Sequence, residues 1–377
     1  MNTWKHGIIG IIAIIALAFT ACDDDPAHTH QWNEWSTTAP TCMTTGTVNR
    51  KCSVCGAVGA VETVIPIDPN AHNYGNWTQS TGSILIRICS HNNSHTTTSN
   101  EMVSVQGGTF QLGNPDSSVG YSDERPVSNV TLSSFYIGKY EVTQAQWQAV
   151  MGTTIQQLQT AASVVTTNWG RGNAYPVYFV NWYHALVFCN KLSVTEGLTP
   201  AYRIMINGTY TTNPDDWGTV PTSSNPTWNA VTIVDGSTGY RLPTEAQWEY
   251  AAKGGNTGET FTYAGSNTVG DVAWYSLNNG SEGTSTYGAK AVGTKAPNGL
   301  GIYDMSGNVE EWCWDRKGNY TSGDKIDPTG AGDGSTRVER GGFWFSLAEN
   351  VRSAYRVEVM PLFRNYQLGF RLARPVN

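Results

Sequence analysis

The feature that most constrains this fold is the C-terminal stretch, residues 337–374, in which two kinds of residue alternate without a helical or strand period. One kind combines arginines, which form fixed multi-donor contacts, with glycines, which permit tight turns and close backbone approach. We predict that its arginines and its tryptophan are buried and hydrogen-bonded, because an unpaired buried guanidinium is very costly. Its members are Arg340, Gly341, Gly342, Trp344, Arg352, Ser353, Ala354, Arg356, Pro361, Gly369, Phe370 and Arg371.

The second kind fills the gaps and mixes aromatic, aliphatic and polar side chains, as recognition surfaces do. We predict that these residues gather on one face of the protein and bind a ligand. The competing interpretation, which the pattern alone does not reject, is a pair of core strands joined by a loop. The predicted ligand-binding residues are Phe343, Phe345, Ser346, Leu347, Glu349, Asn350, Tyr355, Val357, Glu358, Val359, Met360, Leu362, Phe363, Asn365, Tyr366 and Gln367.

The composition narrows the classes of function. Only 14% of the residues are charged and the net charge is −7, so the chain lacks the clustered basic charge that nucleic-acid binding requires. We therefore expect no nucleic-acid partner. The 40 glycines and 14 tryptophans favour a loop-rich body held together by aromatic packing.

Residues 1–22 are typical of a targeting segment. A basic residue, Lys5, precedes an apolar run, residues 8–19, that is too short to span a bilayer stably. The run ends in Phe-Thr-Ala-Cys, which resembles a relaxed bacterial lipobox, so we predict lipidation of Cys22 and a lipid anchor in the cell envelope, on its outer surface. The alternative is an ordinary cleaved signal peptide with an incidental cysteine. Both interpretations place the protein outside the cytoplasm.

Residues 23–100 are predicted to form a separate β-rich spacer with two imperfect Cys/His repeats. The spacing of Cys52 and Cys55 can present two thiolates to one zinc ion, and His30 (or His28) with Cys42 would complete a tetrahedral set. A disulfide is the rival interpretation, because compartments outside the membrane are often oxidising. Free thiols are the third.

The large domain, residues 101–377, contains several local structural signals. Residues 102–113 alternate apolar and polar side chains, which predicts a half-buried strand. Capping boxes predict helices that begin after Thr143 and Thr244, and amphipathic spacing predicts another that begins at Asn181. Residues 197–238 are rich in Thr, Asn, Pro and Gly and are predicted to form an irregular insertion.

Several runs in this domain also carry a family resemblance. Arg-Val-x-Arg-Gly-Gly-x-Trp begins at Arg337, Arg-Ser-Ala-x-Arg at Arg352, and Gly-Phe-Arg-Leu-Ala at Gly369. Arg-Leu-Pro-Thr-Glu-Ala-Gln-Trp begins at Arg241. Gly-Asn-Val-Glu-Glu-Trp begins at Gly307 and ends the run that starts at Asn298. Over residues 101–374 these runs resemble the formylglycine-generating-enzyme, or sulfatase-modifying factor, family. The resemblance implies an α+β domain with a variant of the C-type lectin fold, preceded here by the small Cys/His repeat unit.

Within that family, the C-terminal segment is similar to that of the variable proteins of diversity-generating retroelements, above all the treponemal ones, which are surface lipoproteins. Such proteins randomise codons in a short C-terminal segment and leave the supporting codons fixed. The gap-filling residues of segment 340–371 fall where those proteins place their variable positions. The resemblance therefore implies a monomeric, lipid-anchored display protein whose partner is a protein or another cell-surface ligand.

The run that follows Asn298 has a family counterpart that can hold calcium. Carried over by position, the ligands would be the carboxylates of Asp304 and Glu311 and the carbonyls of Gly307 and Val309, and such hard oxygen ligands suit Ca²⁺. The alternative is that Asp304, Glu310 and Glu311 accept hydrogen bonds from loop backbone and arginines. Calcium and zinc are thus candidate structural ions, and no cofactor is required.

Family members that are oxidases use two cysteines shortly after the Gly-Gly-x-Trp run, where soft thiolates bind copper. Residues 345–351 contain no cysteine here, and the large domain has a single histidine, His184, which is too few for a histidine iron site. We therefore expect a binding protein and no enzyme. The alternatives are a formylglycine-generating-type oxidase or related metal enzyme and a purely structural envelope protein.

Overall fold

The computed structural model describes residues 101–164 and 168–376 in full and, before them, the backbone of six strands. The first three strands form one antiparallel sheet: Ser36–Thr38 (β1), Gly46–Asn49 (β2) and Thr63–Ile65 (β3). The next three form another: Thr78–Gln79 (β4), Leu85–Cys89 (β5) and Asn92–Thr98 (β6). The larger of two compact units comprises residues 76–87 and 97–377. The boundaries predicted at residues 22 and 100 stay predictions.

The first strands of the large domain correct the prediction of one long strand over residues 102–113. Met102–Val105 (β7) and Gly108–Leu112 (β8) are separate strands that belong to different sheets. The two strands are separated by Gln106 and Gly107, which belong to neither of them. A Cβ on Gly107 would lie 2.4 Å from the Leu132 carbonyl oxygen, so glycine permits the close approach of the backbones here. The alternating pattern is thus real, but a break interrupts it.

Two small sheets are built on these strands. In one, β7 pairs with Phe135–Gly138 (β10), which also pairs with Ala373–Pro375 (β19), so the two ends of the domain lie side by side. In the other, β8 pairs with Ser128–Leu132 (β9), and β9 runs parallel to Asp324–Ile326 (β15).

The sheet that carries the C-terminal segment has four strands in the order β17-β16-β14-β18. Its side chains alternate between two hydrophobic cores: Trp312 enters one, and Cys313 and Val338 enter the other. The sheet is therefore covered on both sides. Its strands are Glu310–Arg316 (β14), Arg337–Arg340 (β16), Arg356–Val359 (β17) and Leu368–Gly369 (β18).

The three predicted helices are present. Each begins after its predicted capping residue, whose side chain accepts a hydrogen bond from a backbone N–H in the first turn. These helices are Gln144–Met151 (α1), Trp182–Thr195 (α3) and Glu245–Ala252 (α5). The others are Ile155–Ala161 (α2), Pro226–Asn229 (α4) and Val269–Val272 (α6), with 3-10 turns at Ser122–Glu124, Pro214–Trp217 and Ala348–Asn350.

The insertion predicted to be irregular contains a sheet of its own. Tyr202–Ile206 (β11) lies between Thr209–Thr211 (β12) and Thr232–Ile233 (β13). The buried side chains of Tyr202 and Ile204 join the first core, which surrounds α3. The second core surrounds α5. No helix in the described part of the chain is long and apolar enough to cross a bilayer.

Candidate ligand-binding site

Buried ion pairs hold the backbone of the C-terminal segment. Arg356 donates from Nε and Nη2 to the two carboxylate oxygens of Glu245, at 2.7 and 2.6 Å. Arg352 donates from Nη1 and Nη2 to Glu124, at 2.8 and 2.6 Å. Such paired contacts fix the orientation of the guanidinium as well as its position. They attach the segment to α5 and to the 3-10 turn at Ser122–Glu124.

Two more arginines extend this support. Arg340 donates to the Glu249 carboxylate and to the carbonyls of Ala354 and Tyr355, so it holds β16 to the turn before β17. Arg371 donates to both oxygens of Glu311, each at 2.6 Å. All four arginines are buried and hydrogen-bonded, which confirms the prediction for them. Trp344 is also buried, but its indole Nε1 has no hydrogen-bond partner among the described residues, so for Trp344 only the predicted burial is confirmed.

The turn between β16 and the 3-10 turn at Ala348–Asn350 depends on glycine. Gly342 has φ +66°, and a Cβ there would lie 2.3 Å from the Asn350 carbonyl oxygen. The two stretches of backbone therefore touch directly. Trp344 follows and points inward, with its backbone N–H bonded to the Asn308 carbonyl at 2.9 Å. The neighbouring side chains at 345 and 347 point outward as a result.

Three of the predicted ligand-binding residues are both exposed and apolar. Phe345, Leu347 and Met360 are 51%, 57% and 53% exposed. Aromatic side chains and Met are enriched where a protein surface meets a partner. Glu349 and Glu358 are also exposed. Ten further predicted residues are half-buried: Phe343, Asn350, Tyr355, Val357, Val359, Leu362, Phe363, Asn365, Tyr366 and Gln367.

Ser346 was predicted to lie on the binding surface, but its side chain is buried. Its hydroxyl accepts a hydrogen bond from the Phe343 backbone N–H at 3.0 Å, and its carbonyl accepts one from Ser276 at 3.0 Å. Ser346 therefore closes the local turn that positions Phe345. The side chains of Val359, Leu362 and Phe363 also pack partly against the first core. For these three residues, the competing interpretation of core strands joined by a loop is therefore partly correct.

An aromatic cluster joins the two halves of the segment. The Phe343 ring lies 6.3 Å from the Tyr366 ring, and Tyr366 stacks on Trp169 at 4.7 Å. Tyr287 lies 5.8 Å from Phe345. The sequence analysis missed Trp169 and Tyr287, because each stands in an irregular loop far from the C-terminal segment. The fold alone reveals that they extend its surface.

A second cluster lies around Tyr355. Its ring is 5.5 Å from that of Tyr121, another residue that the sequence analysis missed. The Tyr121 hydroxyl is 3.4 Å from Glu349 and from Asn350. Burial raises the pKa of Tyr355 to about 12, so its hydroxyl is a neutral hydrogen-bonding group at physiological pH. The surface thus combines apolar rings with hydroxyl, amide and carboxylate groups.

The residues implied for calcium do not fit a cation at Glu311. Both of its oxygens accept hydrogen bonds from Arg371, and one also accepts from the Trp248 indole at 2.7 Å. A guanidinium in that position excludes a hard cation from the same oxygens. One oxygen of Asp304 accepts from the Gly293 backbone at 2.6 Å. The structure thus favours the other interpretation, hydrogen bonding to arginine and loop backbone.

The remaining predicted groups lie outside the described residues: the lipidation residue Cys22 and the zinc set His30, Cys42, Cys52 and Cys55. Within the described residues no group of three or more His, Cys, Asp or Glu side chains is arranged to hold a metal ion. Cys189 and Cys313 are free and buried, and burial raises the pKa of both thiols. Neither is poised as a reactive thiolate.

Comparison with known proteins gives a consistent result. The chain matches the family described as sulfatase-modifying factor enzyme 1-like domain over residues 90–376. The chaperone protein LppX of Paenibacillus barcinonensis is 40% identical over 272 residues, which cover 69% of this chain and 84% of that protein. The formylglycine-generating enzyme of Thermomonospora curvata is 31% identical over 278 residues, which cover 68% of this chain and 86% of that protein.

A solved structure supports the same relationship. Treponema denticola variable protein 1 is 36% identical and superimposes with a TM-score of 0.63, over 75% of this chain and 96% of that one. The mixed helices and short strands of the large domain agree with the predicted α+β class and with the family's variant of the C-type lectin fold. The chain therefore belongs to the sulfatase-modifying factor, or formylglycine-generating-enzyme, family.

Proposed function

We propose that this protein is a surface-displayed lipoprotein that binds a protein or another cell-surface ligand through a diversified C-terminal surface. The observation that carries the proposal is that residues 340–371 combine a buried support with a set of exposed side chains. Arginines in buried ion pairs hold the backbone, while Phe345, Leu347 and Met360 project from it. A backbone fixed in this way does not depend on the displayed side chains, so these can vary without loss of the fold.

The similarity to a treponemal variable protein supports the diversification part of the proposal. If the segment is diversified, a near-duplicate of its coding sequence should lie close to the gene, beside a reverse-transcriptase gene. Differences between the copies should occur mainly at adenines of the duplicate, and the Arg340, Arg352 and Arg356 codons should stay unchanged. Substitutions spread evenly over both kinds of codon would contradict the proposal.

A binding experiment tests the surface itself. The full chain is used to select binders from a phage-displayed library of random peptides, and each binder is then measured on a variant with Phe345→Ser, Leu347→Ser and Met360→Ser. We expect the variant to lose the binders, because exposed aromatic and aliphatic anchors supply most of the free energy of binding at such surfaces. Peptides that bind both proteins with equal affinity would place the binding site elsewhere.

The proposal includes a non-enzymatic role. The segment 345–351 has no cysteine, and the two free cysteines that the structure describes are buried, so the thiolate pair of the related oxidases has no counterpart at this position. Incubation with copper(I), oxygen and a cysteine-containing peptide should therefore yield no formylglycine. Turnover in that assay would support the alternative, an oxidase. The relative named as a chaperone is compatible with a binding role.

A further inference from the structure

We call the exposed and half-buried predicted ligand-binding residues of segment 343–367 the candidate binding surface. Two buried carboxylates lie beneath this surface, Glu310 on β14 and Glu339 on β16, and we call them the acid pair. In the register of the sheet Glu339 is opposite Trp312, two residues from Glu310, so both side chains point to the same face. That face is opposite to the one that holds the Glu311–Arg371 ion pair. Glu339 is only 1% exposed, and its Oε1 has no hydrogen-bond partner among the described residues.

No cation of the described chain neutralises the acid pair. Arg340 directly follows Glu339 on β16, but it points to the opposite face and donates to Glu249. Arg337, two residues before Glu339, lies on the same face, but its guanidinium is engaged elsewhere. Its Cζ lies 3.7 Å from the centre of the Trp182 ring, and Nη1 donates to the Trp314 carbonyl at 2.6 Å. Among the described residues, the side chain that donates a hydrogen bond to the pair is the neutral amide of Gln367, at 2.7 Å from Glu310.

The cover over the acid pair consists of predicted ligand-binding residues. Val357 is opposite Glu339 in the register of β16 and β17, and Gln367 contacts Glu310. Both covering side chains are half-buried, so each reaches solvent. A ligand that docks on the surface and displaces the Gln367 amide would therefore meet the two carboxylates directly.

Two unpaired buried acids are costly for a fold that gains nothing from them, because burial of a charge or of an unsatisfied polar group destabilises the folded state. The buried carboxylates Glu124, Glu245 and Glu311 of the support each have an arginine partner. The acid pair has no such arginine partner, and it lies at the place where a ligand would dock. A cation supplied by the ligand would provide this partner.

We propose that the acid pair binds the cationic side chain, lysine or arginine, of a protein ligand that docks on the candidate binding surface. This inference rests on the proposed function and specifies the ligand class. Tyr366, the residue before Gln367, stacks on Trp169, and such stacked rings suit the aliphatic stem of a cationic side chain. The two carboxylates suit its charged head.

The test uses the peptides selected on the full chain and a variant with Glu310→Gln and Glu339→Gln, which keeps the side-chain shape and removes the charge. The control variant, Asp215→Asn with Asp216→Asn, removes two exposed carboxylates far along the sequence from the surface. We expect the selected peptides to be enriched in Lys and Arg. Their affinity should fall about tenfold or more in the acid-pair variant and stay unchanged in the control.

Folding of the acid-pair variant is measured separately by thermal unfolding. We expect its midpoint to be no lower than that of the wild type, because Gln has the shape of the neutral, protonated acid that burial favours at both positions and never carries a buried charge. A calorimetric titration in two buffers of different ionisation enthalpy gives an independent measurement. Burial raises the pKa of both carboxyl groups, so docking of a cation should release protons to the buffer.

The outcomes separate the inference from the function on which it rests. Peptides that need Phe345, Leu347 and Met360, yet show no basic enrichment and bind the acid-pair variant equally well, would overturn the inference and leave the proposed function intact. Peptides that are insensitive to the three exposed residues would overturn both. A library that yields no binder at all would also count against both.

Discussion

Arg356 on β17 and Glu245 at the first turn of α5 form a buried two-bond ion pair, although 111 positions separate them in sequence. Arg356 also donates to the carbonyls of Asp123 and Gly318. One side chain thus joins four parts of the chain below the candidate binding surface. The support for this surface is built from contacts of this kind, made by buried residues.

Replacement of Arg356 by Ala should therefore strongly lower the free energy of unfolding. It leaves the Glu245 carboxylate buried without its partner, and loss of one member of a buried pair typically costs about 3–5 kcal/mol in the free energy of unfolding. The matched control is Lys191→Ala, which breaks an exposed pair with Asp215 and should cost less than about 1 kcal/mol. Urea unfolding measures both. Equal costs would show that the buried pair does not hold the segment.

Gly342 should tolerate no side chain. Its φ of +66° disfavours other residues, and a Cβ would meet the Asn350 carbonyl oxygen at 2.3 Å. Gly152 is the control, since it has a similar φ of +73° but nothing within 4 Å of a Cβ. We expect Gly342→Ala to lower the melting temperature clearly more than Gly152→Ala. A similar loss in both would mean that the close approach of the backbones is unimportant.

Glu310 should make stability depend on pH. Burial raises its pKa from 4.5 to about 7, so the folded state keeps a proton that the unfolded state has lost. The stability that this group contributes is full below pH 4.5 and is lost as the pH rises to about 7. Compared with Glu310→Gln, the wild type should become progressively less stable over that window. A constant difference between the two proteins would contradict the assignment.

Cys22 lies outside the described residues, so its lipidation is tested in cells. Growth with a radiolabelled fatty acid should label the wild type, because the residues before Cys22 resemble a lipobox. The Cys22→Ala variant should not be labelled. Its total amount on an immunoblot controls for expression. Equal labelling of both proteins would contradict the lipid anchor and, with it, the tether that the proposed display requires.

Local signals in the sequence were sufficient for three of the helices, α1, α3 and α5, and for the burial of the arginines. Thr143 and Thr244 predicted correct helix starts because a capping box acts within three residues. The partners of the arginines were not predictable, because Glu124 lies 228 positions from Arg352. The same limit applies to Trp169, which stacks on Tyr366 only after the chain has folded.

The wrong predictions also have local causes. The alternation of residues 102–113 concealed a break at Gln106 and Gly107, where the close approach of Gly107 is to Leu132, a residue distant in sequence. Ser346 was assigned to the displayed set because its type and position match that set, but its hydroxyl closes a turn on Phe343. The acid pair was not recognised, since only the register of β14 and β16 brings Glu310 near Glu339.

Saturation mutagenesis of residues 337–374, scored for folding by protease resistance of the displayed protein, tests the central claim most directly. The account predicts that almost any residue is accepted at Phe345, Leu347 and Met360, because surface substitutions typically change the free energy of unfolding by less than about 0.5 kcal/mol. It predicts that few residues are accepted at Arg340 and Arg356. Equal tolerance at the two kinds of position would contradict the separation of a fixed support from a variable surface.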